Sequence, residues 1–274
     1  MITFKARRRR LSLVTLAVAA VIIPLLLAWS LSLHDIAFVS GWTLLSLVIV
    51  LTLFNVRKKL TYPPLFKSST WLQLHVYVGY LAILVFFFHT GARLPRGLFE
   101  SVLYALFLLL ALSGIVGLYL SRSVPNSLAD RGSEVIFERI PRFRRELSDR
   151  AKALVLQSIE KHGSSILSDF YSMRLADFMS RPQHLGAHLI RSERPRQQIL
   201  HDLEALDRYL SESEREIARE LTSLIGQKDD LDFHYTRQGI LKLWLFAHIP
   251  LTYMLLIFLV AHVVLVYAFA GTIS

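Results

Sequence analysis

Apolar positions in this chain fall into long unbroken runs rather than into a two- or three-residue alternation. Five runs are long enough for a membrane helix, which needs about 20 mostly apolar residues: residues 11–33, 36–56, 71–90, 98–121 and 240–271. Between the fourth and fifth lies a polar stretch of more than a hundred residues with a different pattern. There Phe143, Leu147, Ala151, Leu154, Val155 and Ile159 recur at helical spacing behind Pro141, a residue suited to a first helical turn. Residues 164–179 and 197–210 form further amphipathic runs, and Ser213-x-x-Glu216 reads as a capping box ahead of Ile217, Leu221 and Leu224. No strand alternation, internal repeat or low-complexity segment interrupts this. The pattern predicts an all-α membrane protein with five spans. Residues 1–121 carry spans one to four, residues 122–238 a helical insertion, and residues 239–274 the fifth span.

Composition agrees with that class. The 274 residues are 53% hydrophobic, with a mean hydropathy of +0.44. A net charge of +10 would suit a nucleic-acid binder, but its distribution argues otherwise. Residues 122–238 hold 19 basic and 19 acidic side chains, whereas the remainder holds 12 basic and 2 acidic. The excess collects at span ends, in the manner of the positive-inside rule, and no nucleic-acid partner is expected. Arginines 7–10 anchor the N-terminus on the cytoplasmic side, and an apolar run of this length is read as a retained span rather than a cleaved signal. The short turn at His34 and Asp35 has no Lys or Arg and goes outside. Arg57, Lys58 and Lys59, and the loop with Pro63, Pro64 and Lys67, return to the cytoplasm. The third and fifth spans then both run outward, the insertion is cytoplasmic, and the C-terminus lies outside, a topology suited to a bacterial inner membrane.

Within those two outward-running spans sit four histidines: His75 and His89 in the third, His248 and His262 in the fifth. Each pair is separated by fourteen positions, which turns a helix by about 1400°, roughly 40° short of four full turns, and climbs about 21 Å. Each helix therefore shows two imidazoles on nearly one face, one toward each side of a hydrocarbon core about 30 Å thick. The shared direction sets His75 at the depth of His248 and His89 at the depth of His262. Ionisable groups in a membrane are costly and point to function. Two matched pairs suit two haems, one above the other, while a proton or zinc pathway is the competing chemistry. The absence of cysteine excludes disulfides, thiolate-held iron–sulfur clusters and covalent haem attachment.

On those four histidines and the topology, the chain resembles the di-haem b-type cytochrome core shared by the cytochrome b of respiratory bc complexes and the ferric reductase and NADPH oxidase transmembrane domain. The resemblance covers spans two to five and implies a four-helix bundle in which each of two non-covalent b-type haems takes one histidine from each helix. By position, His75 with His248 would hold the inner haem and His89 with His262 the outer one. The quinol-site Pro-Glu-Trp-Tyr signature, a G-x-G-x-x-G nucleotide motif and a flavin domain are all missing, and the long insertion belongs to neither family. The implied function is transmembrane electron transfer, as a subunit between a quinol or redox protein, such as a cytochrome c or multihaem subunit, and a partner across the membrane. Oxidation of quinol, or reduction of ferric iron or oxygen, by the chain itself is the enzymatic alternative.

Supporting residues are less distinctive. Gly79, one turn above His75, would admit a neighbouring helix or a flat ligand. Gly114 and Gly117 suit either helix packing or a porphyrin contact. Pro250 removes the usual donor to the carbonyl of Phe246. Arg93 and Arg96 on the outside, and Lys67, Arg237 or Lys242 on the inside, could pair with haem propionates, although lipid headgroups also explain the inner ones. His184 and His188 sit at i and i+4 in HLGAH without a third ligand and are read, with His162, His201 and His234, as surface histidines.

Overall fold

The computed structural model describes residues 12–24, 36–59, 68–129, 131 and 135–270, and among these there is no strand. Ten α-helices follow in order: α1 (Ser12–Pro24), α2 (Ile36–Lys59), α3 (Ser68–Thr90), α4 (Leu98–Ala129), α5 (Ile140–His162), α6 (Ile166–Phe170), α7 (Ala176–Ser180), α8 (Leu185–Leu189), α9 (Arg194–Glu204) and α10 (Glu212–Ala270). A π-helical turn, Tyr171–Leu175, joins α6 to α7. The arginines at 7–10, His34, Asp35, Pro63, Pro64, Lys67 and Gly271 lie outside the described residues, as do the side chains of Arg57, Lys58, Lys59 and His162. Four helices, α2, α3, α4 and α10, are long and apolar enough to cross a membrane, and the described part of the first predicted span is the shorter helix α1.

The chain divides into two units, one formed by Met1–Leu118 with Leu245–Ser274, the other by Tyr119–Trp244. In the first, α2, α3, α4 and the last part of α10 meet in a core of Leu44, Val48, Ala82, Val85, Phe86, Leu106, Phe107 and Leu255. Phe86 and Phe107 stack at its centre, ring centroids 4.0 Å apart and 10° from parallel. Outward faces carry Leu53, Leu109, Leu112, Ile257, Val260 and Phe269, all exposed in the chain by itself. Large aliphatic side chains on the outside of a helix cluster suit contact with lipid tails rather than water.

The second unit has an ordinary soluble pattern. Leu147, Ala151, Leu154 and Val155 of α5 pack with Leu175, Phe178 and Met179 and with Ile217, Leu221, Leu224 and Ile225 of α10. Proline stands in the first turn of α5, and Gly163 closes it in the left-handed region (φ 62°), its N–H donating to the Ile159 carbonyl. The predicted capping box lies two residues earlier than expected. Ser211 N–H donates to Glu214 Oε2 at 2.9 Å, and the two side chains bond at 2.8 Å. Helix α10 therefore begins at Glu212 and runs unbroken to Ala270, passing Pro250. Helix α4 likewise continues past Arg122, through Pro125, to Ala129.

Candidate functional site: four histidines on α3 and α10

Helix α3 ends one residue past the histidine it presents. Gly91 takes the left-handed conformation (φ 57°) and its N–H donates to the Phe88 carbonyl, while the Ala92 N–H reaches back to the Phe87 carbonyl at 3.0 Å. This double closure satisfies carbonyls that the helix end would leave open, and ends the helix at Thr90, one residue past His89. The His89 ring is then gripped by α2. Its Nδ1 lies 3.0 Å from the Ala37 carbonyl and 3.2 Å from Ser40 Oγ. A carbonyl can only accept, so Nδ1 carries the proton, and in the neutral ring the Nε2 lone pair becomes the ligating position. Metal-binding histidines are oriented in this way, by a hydrogen bond at the nitrogen opposite the metal.

Across from His89 stands His262 of α10. Their ring centroids are 6.4 Å apart with planes at 87°. A metal–imidazole bond of about 2.0 Å, with roughly 1.2 Å from ring nitrogen to ring centre, separates two rings on opposite sides of one metal by about 6.4 Å. The observed separation equals that value and also lies within the ordinary range, roughly 4.5–7 Å, of edge-to-face ring pairs. Among the described residues no three His, Cys, Asp or Glu side chains converge as a metal site.

Both rings line a cavity of about 450 Å³, within the range of small-molecule and cofactor pockets. Its walls are apolar, from Leu44, Val48, Phe86, Phe107 and Leu255, and its rim includes Arg93 and Glu100. Phe38 and Trp42 each set an edge against the ring of Tyr267, with centroids 6.4 Å apart in both pairs. Gly41 marks the closest approach of backbone to the site. A Cβ built there would stand 3.0 Å from His89 Cε1 and 3.4 Å from Nδ1.

His75 and His248 are positioned separately. His75 Nδ1 lies 3.2 Å from the Leu51 carbonyl, and the Phe54 ring packs on its ring at 5.1 Å. His248 Nδ1 bonds Ser113 Oγ of α4 at 3.0 Å, and the His248 carbonyl accepts from Thr252 Oγ1 at 2.9 Å. The other candidates differ in support. Arg93 is at the cavity rim, while Arg96 is exposed and not among the lining residues. A Cβ on Gly79 or Gly114 meets nothing within 4 Å. Gly41, Ala37, Ser40 and Ser113 were not singled out from the sequence, since a contact partner on another helix leaves no mark on local spacing. Only the small residue type at Gly41 and Ser40 was visible.

Two expectations for the second unit are corrected. His188 and His234 are not surface residues, with 2% and 1% of their surface exposed. His188 packs on Phe233, ring centroids 6.1 Å apart, and its Nε2 lies 3.7 Å from Asp229 Oδ1. Burial holds its pKa down at about 4, with Asp232 opposing and Arg131 assisting. His234 Nε2 bonds the Arg131 carbonyl at 3.1 Å. His184 and His201 are exposed, as expected.

Comparison with known proteins returns no match: no protein-family model fits the chain, and no curated protein and no solved structure matches it.

Proposed function

We propose that this protein carries electrons across a membrane on two b-type haems held between α3 and α10. His89 and His262 would hold the outer one, and His75 and His248 the inner one. The observation that supports this reading is the 6.4 Å separation of the His89 and His262 rings, a spacing that two imidazoles sharing one metal would have. Bound haem supplies a one-electron iron couple, whose potential follows from its axial ligands, their hydrogen bonds and the apolar surroundings.

The chain's own residues do the rest. The Ala37 carbonyl holds the Nδ1 proton of His89 and the Leu51 carbonyl that of His75, which keeps each Nε2 lone pair available and makes each ring a stronger donor. Leu44, Phe86, Phe107 and Leu255 give the outer cavity apolar walls. Arg93 at the rim offers a guanidinium suited to a carboxylate. Lipid surrounds α2, α3, α4 and the last part of α10. Electrons pass between a quinol or redox protein on one face and a redox protein on the other, with the N-terminus and the second unit in the cytoplasm, as the charge bias of the loops directs.

The test is the optical spectrum of the detergent-purified protein, oxidised and dithionite-reduced, with haem counted as its pyridine complex. Sharp low-spin b-type bands and two haems per chain are expected. A colourless protein that binds zinc would overturn the proposal in favour of ion transport.

A further inference from the structure

Residues 181–193 are fastened to the second unit without joining its apolar core. Of the side chains that form or flank that core, none falls between Met179 and Ile199. In the segment itself, Leu185 and Leu189 are 41% and 42% exposed and Ile190 is 79% exposed, whereas His188 is turned inward. A stretch that leaves its aliphatic side chains outside gains little from the hydrophobic effect. Its two bends are also unfavourable ones. His184 and Arg191 both take left-handed backbone conformations (φ 54° and 59°), although neither is glycine.

What holds the segment down is a set of ionisable groups. Lys228 Nζ donates to the Arg181 carbonyl at 3.0 Å, and the Gln183 N–H donates to Asp232 Oδ2 at the same distance. Arg131 Nη2 donates to Glu193 Oε1 at 2.8 Å. These anchors are linked in turn, Lys228 to Asp232 and Arg131 Nη1 to Asp229 at 3.1 Å. Between them sits His188, its ring against Phe233 and its Nε2 3.7 Å from Asp229 Oδ1, beyond hydrogen-bond reach. Among the described residues neither ring nitrogen has a hydrogen-bond partner, so the two N–H groups of a protonated ring would have no acceptor in contact. The groups facing it are Lys228, Asp229 and Asp232 of α10, Arg131 ahead of α5, and His184 in the segment itself, while Arg144 of α5 acts on Lys228 and Asp232. Burial outweighs the opposing charge of Asp232, and Arg131, His184 and Lys228 assist it, so the closed segment keeps the ring neutral.

We propose that residues 181–193 form a strap that lifts from α10 in acid, with protonation of His188 as its trigger. Lifting uncovers the Phe233 ring and the Asp229 carboxylate. Held closed, the His188 ring has a pKa of about 4, and free in water about 6.5, so it binds a proton more readily in the open form. Its contribution to closure is complete above about pH 6.5 and is lost as pH falls toward 4, which raises the open-to-closed ratio about 25-fold between pH 7.5 and pH 5. Asp229 and Asp232, whose pKa values burial raises, act in the opposite direction. The strap lies wholly within the second unit, and nothing in it depends on what the four histidines of α3 and α10 bind.

Hydrogen exchange of the full-length protein in detergent tests this, read peptide by peptide by mass spectrometry and corrected for the intrinsic exchange rate at each pH. The strap amides include the Gln183 N–H, held by Asp232, and the Ser192 N–H, held by the Ala187 carbonyl. Between pH 7.5 and pH 5 they should lose about 25-fold more protection in the native protein than in His188→Gln. Amides of the core segment 217–225 should keep theirs. His184→Gln, which alters an exposed neighbour, should respond as the native protein does. An equal loss in the native protein and in His188→Gln would overturn the assignment of the trigger. Loss at 217–225 in step with 181–193 would overturn the strap in favour of opening of the whole unit. That second comparison is made within the native protein, so it decides the matter even if His188→Gln does not fold.

Discussion

Gly41→Ala isolates the grip of α2 on His89. The added Cβ would lie 3.0 Å from His89 Cε1 and 3.4 Å from Nδ1, inside the roughly 3.5–4.0 Å of an ordinary carbon contact. The ring cannot simply retreat, because Nδ1 is held to Ala37 and Ser40 on the same helix as Gly41. Relief comes either from stretching hydrogen bonds worth about 0.5–1.5 kcal/mol each or from moving α2 off α3. Overpacking of this kind costs about 1–3 kcal/mol. Removing a glycine from a helix returns roughly 0.5–1 kcal/mol, so a net loss of about 1–2 kcal/mol is expected. Gly114→Ala is the comparator, because its Cβ meets nothing within 4 Å and only the helix gain remains. Unfolding in mixed detergent, followed by loss of helical ellipticity, measures the difference. In haem-loaded protein the same substitution should alter the midpoint potential and low-spin resonance of one haem alone. A Gly41→Ala protein as stable as Gly114→Ala, with both haem signals unchanged, would refute the reasoning.

Three further outcomes are expected. Gly79→Ala should leave the stability of haem-free protein unchanged or slightly raised, since nothing in the chain touches that Cβ; loss of a haem on this substitution, counted as the pyridine complex, would mark a porphyrin lying against Gly79. His188, ordinarily near pKa 6.5 and held at about 4 in the fold, takes up a proton more readily unfolded than folded, so its contribution is intact above about pH 6.5 and is lost as pH falls toward 4, up to about 3 kcal/mol. Tryptic susceptibility of the second unit should therefore rise between pH 7 and pH 5 more steeply in the native protein than in His188→Leu; buried Asp229 and Asp232, whose pKa values are raised and which act with opposite sign, are common to both. Lys228, fully buried, bonds Asp232 and donates to the Arg181 carbonyl at 3.0 Å. Lys228→Met should cost about 3–5 kcal/mol by stranding the Asp232 carboxylate, and adding Asp232→Leu should recover most of it in the same protease assay.

The all-helical class and the four long apolar helices were legible because hydropathy over some twenty residues is a local property. Helix ends were less so. Helix α4 runs on to Ala129 because residues 122–124 offer no glycine stop and Pro125 is absorbed within the helix. The cap of α10 falls on Ser211 and Glu214 rather than Ser213 and Glu216, two boxes that spacing could not separate. Fourteen-residue spacing made His75, His89, His248 and His262 candidates. Which groups hold their Nδ1 atoms depends on Ala37, Leu51 and Ser113, on neighbouring helices. His188 and His234 were misread for the same reason. Their burial is made by Phe233 and by the Arg131 backbone, 45 and 103 positions away, and no local pattern carries that information.

The central claim is that His89 and His262 face each other across one haem iron. The measurement that tests it most directly is the haem stoichiometry of His89→Ala, His262→Ala and the double variant, counted as the pyridine complex and matched to redox titrations. Each single variant should lose one haem, the same potential should vanish from both titrations, and the double variant should lose no more. Two different potentials lost by the single variants, or a double variant that loses both haems, would contradict the account.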